Sequence, residues 1–244
     1  MRNIKLTIEY DGTNYHGWQS QQNAVTVQDT VIKAVRRITG EEVNLTGSSR
    51  TDTGVHAYGQ VANFFTESRI PVNKFPLALN SALPDDVVVR DAEEVEEEFH
   101  SRFSSKGKKY RYLICNSTVP SALMRNRAFF VPGGLDIKAM DRASRHFLGK
   151  HDFSAFKATG SSVKSNERTI TDVSLRSNGE LIEFEIQGDG FLYNMVRIIA
   201  GTLVYVGLGK INADDIPAII RGGDRRKAGK TAPAHGLYLV EVHY

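Results

Sequence analysis

The sequence predicts an α+β protein made of two tandem ferredoxin-like halves, each β-α-β-β-α-β, whose mainly antiparallel sheets adjoin around a central positively charged cleft. Three observations predict it. One order of strand-like and helix-like patterns occurs twice with little identity between the copies, a Ser/Gly-containing crossing separates them, and 244 residues at 41% hydrophobic content can bury a real core. The first half is placed at residues 1–103 and the second at 104–244.

In the first half, Ile4, Leu6 and Ile8 alternate with polar residues until Asp11-Gly12, which reads as a strand and not as a continuous apolar signal region. The stretch Tyr15-His16-Gly17-Trp18-Gln19 that follows is open to two readings, an aromatic surface for bases or a buried anchor. Thr26 and Asp29 form a capping pattern, and Val27, Val31, Ala34, Val35 and Ile38 recur at helical spacing up to Gly40. Val43 and Leu45 suggest a second strand; Val55, Ala57, Val61, Phe64 and Phe65 suggest a third. A short helix over 73–82 and a strand starting at Val87 and running into the acidic stretch Asp91–Glu98 complete the first half.

Between the second and third strands lies a polar loop, Gly47-Ser48-Ser49-Arg50-Thr51-Asp52-Thr53-Gly54-Val55-His56-Ala57, with Asp52 as its only acid. Gly47 and Gly54 are read as supplying backbone angles closed to other residues. The hydroxyls of Ser48, Ser49, Thr51 and Thr53 are read as bonding nearby backbone. Such a turn can hold a carboxylate in one direction, yet an Asp that only closes a turn has the same local signature.

The crossing carries Phe99-His100-Ser101-Arg102-Phe103. Beyond it, Lys109–Cys115 alternates as a strand with Tyr110, Tyr112 and Ile114 on one face, followed by a Pro/Gly-containing insert over 117–134. Ile137, Met140, Ala143 and Phe147 mark a helix, and segments 169–175 and 181–186 a hairpin around Ser177-Asn178-Gly179. A long helix is expected over 191–206, then a short one over 214–220, a basic loop, and a last strand over 237–242. On the long helix, Tyr193, Arg197 and Gly201 share a face away from the Met195 stripe, so Arg197 either snorkels to solvent or points into the cleft, where it can pair with Asp52. Tyr110 is likewise either packing or a ring that stacks on a base.

Composition narrows the function classes. Lys and Arg total 31 against 28 acids, a net charge of only +3, but the charge is segregated. Lys106, Lys108, Lys109 and Arg111, and then Arg221, Arg225, Arg226, Lys227 and Lys230, leave a basic face suited to phosphates. Cys115 is the single cysteine, which excludes an internal disulfide and a cysteine-based zinc site and fits a reducing cytoplasm. The seven histidines show no ligand spacing, and the apolar stretch 195–208 is interrupted by Arg197, Gly201 and Gly207, so neither a metal hydrolase nor a membrane span is expected. Asp52-Thr53-Gly54 lacks the second acid and magnesium cluster of an aspartyl phosphotransferase.

Several motifs together resemble the tRNA pseudouridine synthase A family over nearly the whole chain: Glu9–Gly12 with Tyr15–Gln19, the Gly47–Ala57 loop, Phe99–Phe103, Lys109–Tyr112, His151–Phe153, Gly188–Gly201 and Ala232–Leu237. The resemblance implies that Asp52 is the catalytic aspartate, that Tyr110 contacts the target base, that Arg197 pairs with the aspartate, and that Arg50 sits beside a flipped nucleotide. It further implies uridine-to-pseudouridine conversion at positions 38, 39 and 40 of the tRNA anticodon stem-loop, a homodimer, a cytoplasmic setting, and no cofactor or metal. The rival reading is a protein that grips structured RNA without changing it.

Overall fold

The computed structural model describes residues 1–160 and 163–244, a mixed α+β chain whose strands pair mostly antiparallel. It divides into two compact units, Met1–Lys106 with Tyr238–Tyr244, and Gly107–Leu237. The division lies at 106/107, three residues beyond the expected 103/104, and Tyr238–Tyr244 belong to the first unit.

The first unit starts with β1 (Arg2–Tyr10), in which Ile4, Leu6 and Ile8 are fully buried as their alternation requires. Helix α1 (Val27–Thr39) is capped by the Thr26 hydroxyl accepting from the Asp29 N–H, and ends at Gly40 in the left-handed conformation, φ 77°. Strand β2 shrinks to Thr46–Gly47, because the carbonyl of the buried Leu45 is taken by the Gln28 side chain at 2.7 Å and not by a neighbouring strand. Next come β3 (His56–Thr66), α2 (Phe75–Asn80) and β4 (Val87–Val95). β1 runs antiparallel to both β3 and β4, with Ile4 opposite Phe64 and Leu6 opposite Ala62, and β2 joins the far edge of β3 at Asn63 and Ala62. Phe64 and Phe75 meet edge to face at 5.9 Å beneath the sheet. The acidic stretch begins as the outer half of edge strand β4, where Glu93 and Glu94 pair with Lys5 and Arg2 of β1, and continues past its end at Val95; charge on an edge discourages further strand pairing.

In the second unit, β5 (Gly107–Asn116) is flanked on one edge by the short parallel strand β6 (Phe129–Val131). Then follow α3 (Ile137–Arg145), β7 (Gly149–Asp152), β8 (Glu167–Asn178), β9 (Leu181–Gly188), α4 (Met195–Gly207) and α5 (Ile216–Gly222). The strand order is β5-β9-β8-β7, antiparallel throughout. β6 and β7 are absent from the expected pattern, since runs of three and four residues are too short for alternation to show. Tyr112, Ile114, Phe184 and Ile186 are buried on one face; on the other, Lys109 and Arg111 close on Glu185 at 2.8 Å each.

The chain ends in β10 (Leu237–His243), whose Tyr238 and Leu239 pair in parallel with His56 and Ala57 of β3. This contact covers the part of the β3 edge that β2 is too short to reach. It pins β3 at the residue that follows the Asp52 loop.

Candidate active site

The Asp52 loop, residues 48–55, is held mainly through its backbone. At its start the Ser48 N–H donates to Val61 O at 2.8 Å, while the buried Gln60 side chain donates to Ser49 O at 2.8 Å and accepts from the Ser48 hydroxyl at 2.7 Å. Across the loop, the Trp18 N–H donates to Thr51 O at 3.1 Å, Tyr10 OH and Thr51 Oγ1 share a hydrogen bond of 2.7 Å, and Gly54 N–H donates to Tyr15 O at 3.3 Å. The loop closes on itself where Val55 N–H donates to Asp52 O at 3.1 Å. Asp52 is half-buried and Arg50 exposed.

Two glycines permit this close packing. A Cβ on Gly17, which has φ +85°, would stand 2.4 Å from Thr51 O, and one on Gly47 would stand 2.2 Å from Trp18 Nε1. Gly47 is thus required for space beside the indole, not for the left-handed backbone angle read from the sequence; Gly54, at φ 79°, does need that angle. The Tyr15–Gln19 motif proves to be the wall of the loop. Tyr15 and Trp18 are 5% and 2% exposed, which settles the anchor reading for both rings. The hydroxyls divide: Ser48 and Thr51 bond side chains, whereas the buried Ser49 hydroxyl has no partner among the described residues.

His56, the first residue of β3, is buried at 3% exposure. Its Nδ1 accepts the Gly12 N–H at 3.0 Å, and its ring stacks on Tyr238 at 4.7 Å. The Asp11 carboxylate stands 3.1 Å from the same Nδ1. That approach is an ion pair only when the ring is doubly protonated.

In the second unit, Tyr110 lies on β5 opposite Ile186, half-buried, with its ring edge-on to Phe191 at 5.1 Å and 84°. Arg197 sits in the first turn of α4. Its Nε donates to Ala232 O at 2.9 Å and its Nη1 to Asn194 Oδ1 at 2.7 Å, while Ala232 N–H returns a bond to Arg197 O at 3.0 Å. A Cβ on Gly201 would stand 1.8 Å from Lys230 O, so the 229–232 segment lies directly against this side of the helix. Arg197 is half-buried and anchored, not a snorkelling surface residue.

The helix begins later than expected. Asn194 takes a left-handed conformation, φ 61°, and residues 192–195 form a turn, so Tyr193 stands outside the helix and shares no helical face with Arg197. Close to the charge of Arg197 in this unit is Tyr112, whose hydroxyl donates to Pro233 O at 2.7 Å. Burial pushes the Tyr112 phenol up, and the nearby positive charge of Arg197 opposes that rise.

The four expected residues thus fall into two pairs: Arg50 and Asp52 on one loop of the first unit, Tyr110 and Arg197 on β5 and α4 of the second. Sequence reasoning missed the clamp on each, formed by Tyr10, Trp18 and Gln60 in one unit and by Asn194 and Ala232 in the other. Gly17, Gly47 and Gly201 were the available signal, because a glycine inside an otherwise ordinary pattern marks a close approach. Among the described residues, no three or more His, Cys, Asp or Glu side chains cluster so as to hold a metal ion.

Comparison with known proteins adds the chemistry. Residues 6–104 and 143–244 match the sequence model of a family described as "tRNA pseudouridine synthase". The chain is 62% identical to "tRNA pseudouridine synthase A" of Acetivibrio thermocellus and 59% identical to that of Ruminiclostridium cellulolyticum, in each case over 100% of both chains. A third relative of the same name, from a Thermoanaerobacter species, is 55% identical over 100% of both chains. Arg50, Asp52 and Arg197 fall inside the matched family segments, and Tyr110 lies between them. Among solved structures, a chain in the crystal structure of the archaeal box H/ACA sRNP Nop10–Cbf5 complex aligns at TM-score 0.38 and 12% identity over 82% of this chain and 43% of that one, too remote a likeness to bear on the site.

Proposed function

The chain belongs to the tRNA pseudouridine synthase family, and from that premise we propose that it acts on uridines 38, 39 and 40 of the tRNA anticodon stem-loop, with Asp52 as the group that starts the reaction. It is an isomerase converting uridine to pseudouridine in tRNA. The N1–C1′ bond breaks, a C5–C1′ bond forms, C5 loses a proton and N1 gains one; the atoms balance with no redox carrier or added water. One ionised carboxylate serves such chemistry, either by attacking C1′ or by removing the C2′ proton to give a glycal.

The observation that carries this reading is the Asp52 loop, a single carboxylate on a turn fixed by backbone hydrogen bonds to Trp18 and Tyr15 and by the Tyr10 hydroxyl. Preorganisation of this kind has a purpose in catalysis, where a misplaced group loses rate, and little in a turn that merely reverses the chain. Arg50, exposed two residues earlier, supports the nucleotide extruded from the stem-loop. Tyr110 stacks on the uracil and assists loss of the C5 proton, and Arg197 supplies a positive charge to the reaction. The basic residues hold phosphates, two identical chains form the working enzyme, and the reaction needs neither metal nor cofactor in the cytoplasm.

The test uses a tRNA transcript tritiated at uracil C5. Because pseudouridine formation expels that hydrogen, tritium release with modification mapped to positions 38–40 supports the proposal. Binding without release would favour a passive RNA-binding protein, and release from other positions would overturn the site assignment.

A further inference from the structure

The Phe99–Phe103 segment has one side bonded to the fold and one side bare. Ser101 is fully buried: its N–H donates to Asn63 Oδ1 at 2.9 Å, its hydroxyl to Thr46 O at 2.6 Å, and its carbonyl accepts from Tyr244 OH at 2.7 Å. Asn3 donates to the carbonyls of Glu96 and Phe99 at 3.0 Å each and accepts from Asn63 at 2.9 Å. The turn is therefore fixed to β1, to β3 and to the carboxy-terminal residue.

Beside these anchors, His100 is half-buried and Arg102 and Phe103 are exposed. His100 Nδ1 accepts from the N–H groups of Arg102 and Phe103 at 3.2 and 3.3 Å, which sets the imidazole 4.2 Å from the Phe103 ring at 33°. The Arg102 guanidinium carbon lies 5.6 Å from the same ring. Phe103 is nonetheless 76% exposed. Leaving a phenylalanine in water forgoes the gain of burying it, and here local hydrogen bonds, not apolar packing, position the neighbouring imidazole. An exposed ring beside a guanidinium is an arrangement that single-stranded nucleic acid uses, since every base offers a π-face.

We propose that Phe103, supported by His100 and Arg102, is a stacking platform for an unpaired base of the RNA. The proposal rests on tRNA being the substrate and adds a binding contact to it. The exposed acids Glu96, Glu97 and Glu98 immediately upstream repel phosphate, so the ligand at this spot is a base face and not the backbone.

Affinity for an unmodified tRNA transcript, followed by fluorescence anisotropy against salt concentration, tests it. Phe103→Ala is expected to weaken binding roughly five- to a hundredfold, with the loss in KM rather than kcat. Phe103→Trp should restore affinity and Phe103→Leu should not, and the slope of log K against log salt should stay that of the wild type. Wild-type affinity in Phe103→Ala, rescue by leucine, or a reduced salt slope would overturn the proposal. A change confined to sedimentation behaviour would assign the ring to a second copy of the chain, which also overturns it. Failure of the functional reading itself is separate, since that shows as absence of pseudouridine with the wild-type enzyme.

Discussion

Gly17→Ala tests the clamp on the Asp52 loop without altering any polar side chain. The new Cβ would stand 2.4 Å from Thr51 O and 3.1 Å from the carbonyl carbon of Asp52, on a residue with φ +85°. A left-handed backbone costs a non-glycine residue about 1–2 kcal/mol, and a methyl forced into filled space about 1–3 kcal/mol more, for a total of about 2–5 kcal/mol. Gly40→Ala isolates the first cost, since Gly40 has φ +77° and nothing within 4 Å of its added Cβ. At about 2–4 °C per kcal/mol for a chain of this size, Gly17→Ala should lower Tm by about 4–20 °C and Gly40→Ala by about 2–8 °C. Thermal unfolding by circular dichroism measures this, and pseudouridine yield at a temperature where both variants are folded measures the effect on the site. Moving a catalytic group by 1 Å costs about a hundredfold in rate, so turnover should fall at least about tenfold in Gly17→Ala and stay near wild type in Gly40→Ala. Equal Tm losses would refute the close approach, and normal turnover in Gly17→Ala would show that the contact does not position Asp52.

Ser49→Ala removes a buried hydroxyl with no partner among the described residues, so stability should hold or rise by up to about 1–3 kcal/mol; a loss above about 1 kcal/mol in urea unfolding would count against that account. Tyr112→Phe strips the partner from Pro233 O and should cost about 1–3 kcal/mol; an unchanged urea midpoint would show the bond contributes nothing. Burial raises the Glu185 carboxyl, but its bonds to Lys109 and Arg111 outweigh burial and hold it below the ordinary 4.5. A depressed folded pKa gives stability that is present above 4.5 and is lost as pH falls through the lower folded value, so Glu185→Gln should flatten the acid side of the stability curve; an acid limb as steep as wild type would contradict this.

Periodicity made much of the architecture legible. β1 and α1 were readable because Ile4, Leu6 and Ile8 repeat every second residue and Val27, Val31 and Val35 every fourth, and all are buried. The start of α4 was not, since residues 191–194 continue the apolar character and only the dihedral of Asn194 stops the helix there. The return of β10 to the first unit was also hidden, because alternation reports that a strand exists and not which edge it joins. At the site, Asp52 stood out as the only acid in its loop. The clamp on its loop did not, because Trp18 N–H to Thr51 O is a bond to backbone that any sequence offers, and the anchor of Arg197 through Nε to Ala232 O in the second unit was hidden for the same reason.

Asp52→Asn is the most direct measurement, because it keeps the shape of the side chain and removes its charge. tRNA incubated with the variant and digested to nucleosides should contain no pseudouridine, while the transcript binds within a fewfold of wild type. Continued pseudouridine formation by the variant would mean that the reaction does not begin at this carboxylate.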